Sequence, residues 1–145
     1  MRLLSDQRHR FDVAPDQLWA AMVRVDDFRR WWPWLRRFDA SGVERGDVWR
    51  ATVQPPLPYR VRFDLLLTDV EAPRCISVDV TGDVEGSARL EVHDDGGGSE
   101  LHFTSDLTPT SRVLRAVTRV APPVARFGHE WVLDTGLEQF RSRAL

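Results

Sequence analysis

The sequence contains no lysine; all twenty basic residues are arginine. Replacement of one cation by another along a whole chain reads as a coding bias of the genome, not as function. Cysteine is almost absent. Cys75 stands alone, which excludes an intramolecular disulfide and agrees with a reducing compartment. No run approaches the about 18 consecutive apolar residues of a membrane span. The opening MRLLSDQRHR is too polar for a secretory signal, so the expectation is a cytoplasmic protein without stable membrane insertion. An excess of one charge is missing too. Twenty basic and 22 acidic residues leave a net charge of −2, so no electrostatic footprint for nucleic acid exists. Repeats, linkers and low-complexity tracts are absent, and 145 residues suit one domain over 1–145 with a real core.

Catalytic signatures are also scarce. His9, His93, His102 and His129 show no metal-ligand spacing and Cys75 has no companion, so neither a metal nor a cofactor is expected. No GxSxG motif and no nucleophile with an adjacent base occurs. Gly96-Gly97-Gly98 follows two aspartates between strands and reads as a hairpin tip, not a phosphate loop.

What is present is a long C-terminal helix, predicted over Pro122 to Ala144. On a wheel of about 100° per residue, Val124, Phe127, Trp131 and Thr135 fall on one side. Leu133, Leu137 and Phe140 fall nearly opposite, with Ala125, Gly128, Val132 and Gly136 on the arc between. Only a strip centred on Glu130, Asp134, Glu138 and Arg141 is polar. A surface helix carries one apolar stripe; this one is apolar over more than half its circumference. It is expected to sit inside something concave, with its small residues where a sheet comes closest.

The rest of the chain supplies that sheet. Residues 3–13 alternate as a strand with Leu3, Ser5, Gln7, His9, Phe11 and Val13 on one face. Pro15 and Asp16 open a helix to about Arg24, and a second short helical piece, DDFRRWWPWL, is stopped by Pro33. Segments 35–41, 47–54, 59–70, 74–81, 86–94 and 99–107 read as strands, joined by turns short enough for hairpins and hence an antiparallel sheet. Ser111 is placed to cap a helix over 112–120.

Four ordered stretches carry a family resemblance. They are Phe11-Asp12-Val13-Ala14-Pro15 with Trp19; Trp31-Trp32-Pro33; Thr81-Gly82-Asp83-Val84-Glu85-Gly86; and Ala125-Arg126-Phe127-Gly128-His129-Glu130-Trp131-Val132 leading to Gly136. With the strand order they make the chain resemble the START-like, or SRPBCC, superfamily, and within it the polyketide cyclase/dehydrase and lipid-transport group. The resemblance implies an α+β helix-grip fold: a seven-stranded curved antiparallel sheet wrapped around the C-terminal helix, with two short helices after strand 1. It implies a cavity but not a reaction.

The apolar register places Trp49, Tyr59, Phe63, Leu90 and Phe103 on the inner sheet face, with Phe127 and Trp131 facing them from the helix. Alone, such a face suits a filled core as well as a ligand pocket; the resemblance favours the pocket. Trp32 and Trp34 lie between Arg29, Arg30, Arg36 and Arg37. They read either as a mouth for a ligand with an anionic head or as an aromatic plug. His9, Tyr59 and His129 are the candidate proton-transfer groups, although a buried histidine is more often a structural hydrogen-bonder. Arg60, Arg62, Asp64, His102 and Asp106 read as solvated outer face.

Two functions of different class follow: binding of a small hydrophobic molecule (lipid, polyketide or isoprenoid-like), or a cyclase/dehydratase-like reaction using the cavity's acid/base groups. A protein-interaction module working through the outer sheet face is a weaker third. The sequence leaves oligomeric state open.

Overall fold

The computed structural model describes residues 1–145. Strand β1 (Leu3–Phe11) is followed by helix α1 (Pro15–Met22), a 3-10 turn (Val25–Asp27) and helix α2 (Phe28–Trp31). Six strands come next: β2 (Leu35–Ala40), β3 (Val48–Val53), β4 (Val61–Glu71), β5 (Cys75–Gly82), β6 (Val84–Asp95) and β7 (Gly98–Pro109). Helices α3 (Arg112–Val120) and α4 (Pro122–Ala144) close the chain. The strands form one antiparallel sheet in the order β1-β7-β6-β5-β4-β3-β2. The helix-grip architecture is as expected, and α4 has the expected ends.

Local chemistry explains most boundaries. Trp32 is extended (φ −122°, ψ 90°), as steric pressure from Pro33 requires, so α2 stops one residue earlier. Ser111 Oγ accepts the amide of Leu114 and caps α3. Pro122 pushes Ala121 out of helical geometry (φ −140°, ψ 69°), which separates α3 from α4.

Several boundaries shift. β1 stops at Phe11 rather than Val13, because Ala14 already serves as the extended entry to α1. α1 ends at Met22, two residues short. β6 begins at Val84, earlier than expected, and contains Gly86 at φ +151°. A Cβ there would lie 1.9 Å from the carbonyl oxygen of Asp106. Only glycine lets the strand pair that closely at its bend.

Packing is uneven. The end bounded by α1 and α2 is filled: Phe11, Leu18, Trp19, Phe28, Trp31 and Phe140 are buried there. Phe28 stacks at 4.9–5.9 Å from Trp31, Trp32, Phe38 and Trp49, while Phe140 meets Phe11 and Trp31 edge-on. Each such ring contributes about 1.5–3 kcal/mol by leaving water.

The C-terminal end of α4 is tied to this cluster by polar contacts. Arg24 Nη2 donates to the Ala144 carbonyl at 2.6 Å, Arg143 Nη1 to the Trp31 carbonyl at 2.5 Å, and Arg141 Nη1 to the Arg10 carbonyl at 2.9 Å. Arg141 also lies over the Phe11 ring, 4.1 Å from its centroid. No helix is long and apolar enough to cross a membrane.

Candidate ligand-binding site

Away from the aromatic cluster, sheet and helix stand apart over most of the concave face. A cavity of about 430 Å³ lies between them, and 29 of its 39 lining residues are hydrophobic. Its wall follows from strand pairing. Ala51 faces Phe63 and Trp49 faces Leu65 across β3/β4; Ile76, Leu90 and Phe103 form one row across β5, β6 and β7. Side chains alternate along each strand, so these rows project inward and the rows between them outward. Trp32, Trp34, Trp49, Tyr59, Phe63, Leu90 and Phe103 all line the cavity, as the sequence suggests.

Two of the expected residues do not. Phe127 is 48% exposed and is no part of the wall. Its wheel angle falls beside Asp134 and Glu138, on the solvent strip, so counting it with the buried arc was an error. Trp131 is half-buried beside Trp34, with ring centroids 6.1 Å apart, and likewise lies outside the wall. The helix face turned inward is centred on Gly136, His129 and Phe140, with Ala125, Val132 and Gly128 on one side and Leu133 and Leu137 on the other. Helix α3 adds Leu114 and Thr118, residues the sequence reading left without a role. Their i, i+4 spacing after the Ser111 cap was the available signal.

Two glycines decide how close the aromatic wall comes to α4. At Gly136 a Cβ would sit 3.2 Å from Trp34 Cζ2, and at Gly128 it would sit 3.0 Å from the Tyr59 hydroxyl. Trp32 Nε1 donates to the Gly136 carbonyl and Trp34 Nε1 to Gln139 Oε1, both at 2.8 Å. The tryptophan stretch therefore divides its work. Trp31 joins the buried plug, while Trp32 and Trp34 anchor α4 and face the cavity. The neighbouring arginines Arg29, Arg30, Arg36 and Arg37 are exposed. Tyr59 is held from the other side, because Gln54 Nε2 donates to its carbonyl at 2.8 Å and to that of Leu57 at 2.7 Å.

Two histidines reach the cavity on the β1 side, and Tyr59 enters from the segment before β4. His9, Tyr59 and His129 all reach the cavity wall. His129 Nε2 lies 2.9 Å from Ser5 Oγ, and burial holds its pKa below the usual histidine value. His9 Nε2 lies 3.1 Å from Gln7 Oε1. That oxygen only accepts, so Nε2 carries the proton and Nδ1 keeps its lone pair. Gln7 in turn donates to Asp134 at 3.4 Å. Desolvation, then the Arg141 cation, lower the His9 pKa, with Asp134 opposing. Burial raises that of Tyr59. Both imidazoles thus favour the neutral state in which they accept protons.

Ser105, opposite Ser5 on β7, lines the cavity with its buried Oγ unpartnered. Helix α3 and the first turns of α4 expose both cations and apolar side chains. Arg112, Arg115, Arg119 and Arg126 are exposed around Val113, Val120, Val124 and Phe127.

Comparison with solved structures places this architecture among known ones. The crystal structure of Ara h 8.0201 superposes with a TM-score of 0.74 at 10% identity, covering 99% of this chain and 98% of that one. A START superfamily protein from Mycobacterium smegmatis gives 0.74 at 9% identity over 97% and 96%. The Zhui aromatase/cyclase from a Streptomyces species gives 0.72 at 14% identity over 98% and 90%. At such identities the likeness establishes the fold. A comparison with curated protein sequences finds no match. The sequence itself matches a family across residues 4–144. On that match, and with the helix-grip fold around an apolar cavity, the chain belongs to the polyketide cyclase/dehydrase and lipid transport family.

Proposed function

We propose that the protein binds a small hydrophobic molecule, of lipid, polyketide or isoprenoid-like character, between the curved sheet and α4. The observation that carries this reading is the cavity: about 430 Å³ with a predominantly hydrophobic wall. That volume lies within the about 300–1,000 Å³ of ordinary ligand sites, which also combine apolar walls with a few polar groups. A ligand burying ~300 Å² of apolar surface gains roughly 7 kcal/mol gross. Association and ordering costs reduce this to an affinity of about micromolar unless polar contacts add to it. Ser105 Oγ, His9 and Tyr59 are the groups available for such contacts.

The test is native mass spectrometry of gently purified protein, followed by organic extraction and a titration read by tryptophan fluorescence. Trp32, Trp34 and Trp49 line the cavity, so a bound ligand changes their emission. A stoichiometric hydrophobic molecule supports the reading. An unliganded protein that ignores a panel of lipids and polyketide-like aromatics, yet co-purifies with another protein, sinks it in favour of an interaction module.

A second reading, a cyclase/dehydratase-like enzyme, is favoured by the two neutral imidazoles on one side of the wall. In it the cavity folds a reactive chain, His9 Nδ1 or His129 takes a proton, and Tyr59 gives one. The likeness to an aromatase/cyclase is compatible with this chemistry. His9→Ala and His129→Ala separate the two: turnover collapses in an enzyme, while a carrier keeps its affinity within a fewfold.

A further inference from the structure

We propose that the outer face of the sheet, opposite the cavity, carries a binding site for a late first-row divalent cation such as zinc. Glu91, His93 and His102 are its ligands, and Asp6 is the residue that positions His102. Sequence spacing argued against any metal, because the two histidines are nine residues apart. Strand pairing removes that objection. Glu91 on β6 faces His102 on β7 directly, and His93 projects from the same face two residues along. Their ligand atoms all lie within 4.8 Å of one another.

His102 is held at one ring nitrogen by Asp6 and turns the other toward Glu91. His102 Nε2 lies 2.7 Å from Asp6 Oδ1. A carboxylate only accepts, so Nε2 carries the proton. Nδ1 is the nitrogen left for an ion, and it faces Glu91 Oε1 at 3.8 Å. The other oxygen of Glu91 faces His93 Nε2 at 3.4 Å. One carboxylate therefore stands between two imidazole nitrogens. Ligand bonds of about 2.0–2.2 Å in tetrahedral array place donor atoms roughly 3.3–3.5 Å apart, so closing on an ion needs only small rotations.

The support around the ligands fits as well. An imidazole bound through one nitrogen and held by a carboxylate through the other is the usual arrangement for metal-bound histidine. The base of the cluster is covered and its top is open: the side chains of His102, Glu91 and His93 are 14%, 27% and 50% exposed. A solvent molecule would complete the fourth position. Arg89 competes for Glu91 Oε1 at 3.4 Å, whereas Arg8 is occupied by Glu100 at 2.8 Å. The mixed imidazole and carboxylate set suits zinc and cobalt better than magnesium or calcium.

The test titrates chelator-stripped, tag-free full-length protein with Co(II) and then Zn(II). The expected result is one equivalent of cobalt with tetrahedral visible absorption, displaced by zinc, and a zinc-dependent rise in Tm. His93→Ala and Glu91→Gln, both on the outer face, are expected to keep the circular dichroism of the parent and weaken binding at least tenfold. Asp6→Asn is expected to weaken it about tenfold through loss of the positioning contact. Absence of saturable one-equivalent binding overturns the proposal. So does binding that His93→Ala and Glu91→Gln leave unchanged, which would place the ion at the other cluster, Asp69, Glu71 and Cys75.

Discussion

The indole Nε1 of Trp32 donates to the main-chain carbonyl of Gly136, 2.8 Å away and 104 positions along the chain. The missing side chain of Gly136 also leaves room for the neighbouring indole, because a Cβ there would press on Trp34 at 3.2 Å. Gly136→Val is therefore expected to push Trp34 out of the wall, cost about 1–3 kcal/mol by overpacking, and weaken ligand binding. Trp32→Phe, which removes the donor but keeps the ring volume largely in place, should cost about 1 kcal/mol. Urea denaturation of the two variants checks both figures.

Phe127 and Phe63 offer a paired contrast. Phe127 is 48% exposed, whereas Phe63 lines the cavity. Phe127→Ala should change stability by no more than about 0.5 kcal/mol and leave ligand affinity unchanged. Phe63→Ala enlarges the cavity and removes contact surface, so affinity should fall about tenfold or more. Fluorescence titration of both proteins against one ligand decides the matter.

Stability should fall with acid in a defined direction. His129 and His9 have folded-state pKa values below their ordinary value, chiefly through desolvation. Above about pH 6.5 both are neutral whether the chain is folded or not, and no penalty exists. Below it the unfolded chain takes up protons that the folded chain refuses, so stability declines as pH drops toward the lowered pKa values. The slope of unfolding free energy between about pH 6.5 and 5 should shrink in His129→Gln. An unchanged slope would mean that His129 is freely protonated in the fold.

Capping of α3 bears on the cavity because Leu114 and Thr118 form part of its wall. Ser111→Ala removes the acceptor for the Leu114 amide and should cost about 1 kcal/mol. Ligand dissociation should accelerate in the same variant, measurable by stopped-flow fluorescence.

The fold was legible in the sequence because its determinants are local. Proline at 33 and 122, serine at 111 and strict alternation along the strands set the elements where they occur. Alternation accounts for Trp49, Phe63, Leu90 and Phe103 on the cavity wall, whereas Trp32, Trp34 and Tyr59 reach it from segments between the elements. Phe127 is exposed because its wheel angle lies between those of Asp134 and Glu138, a position masked by the apolar residues Val124 and Trp131 on the same flank. The polar site was less legible still. Ser5 with His129, Gln7 with Asp134, and Asp6 with His102 are pairs from distant parts of the chain, brought together by strand register and helix placement. His102 in particular, assigned to solvated surface, is largely covered by its neighbours.

Helix α4 behaves mechanically as a beam clamped at one end. From Gly136 onward it is fastened by Trp32 and Trp34 and by Arg24, Arg141 and Arg143. Toward Pro122 the only side-chain bonds to the sheet are that between His129 and Ser5 and that donated by Gln7 to Asp134. Displacement under thermal load should therefore grow toward the proline end, where α3 adjoins it. Amides of 126–132 should exchange with deuterium faster than those of 136–142, and the opening stroke of the cavity should belong to the free end of the beam.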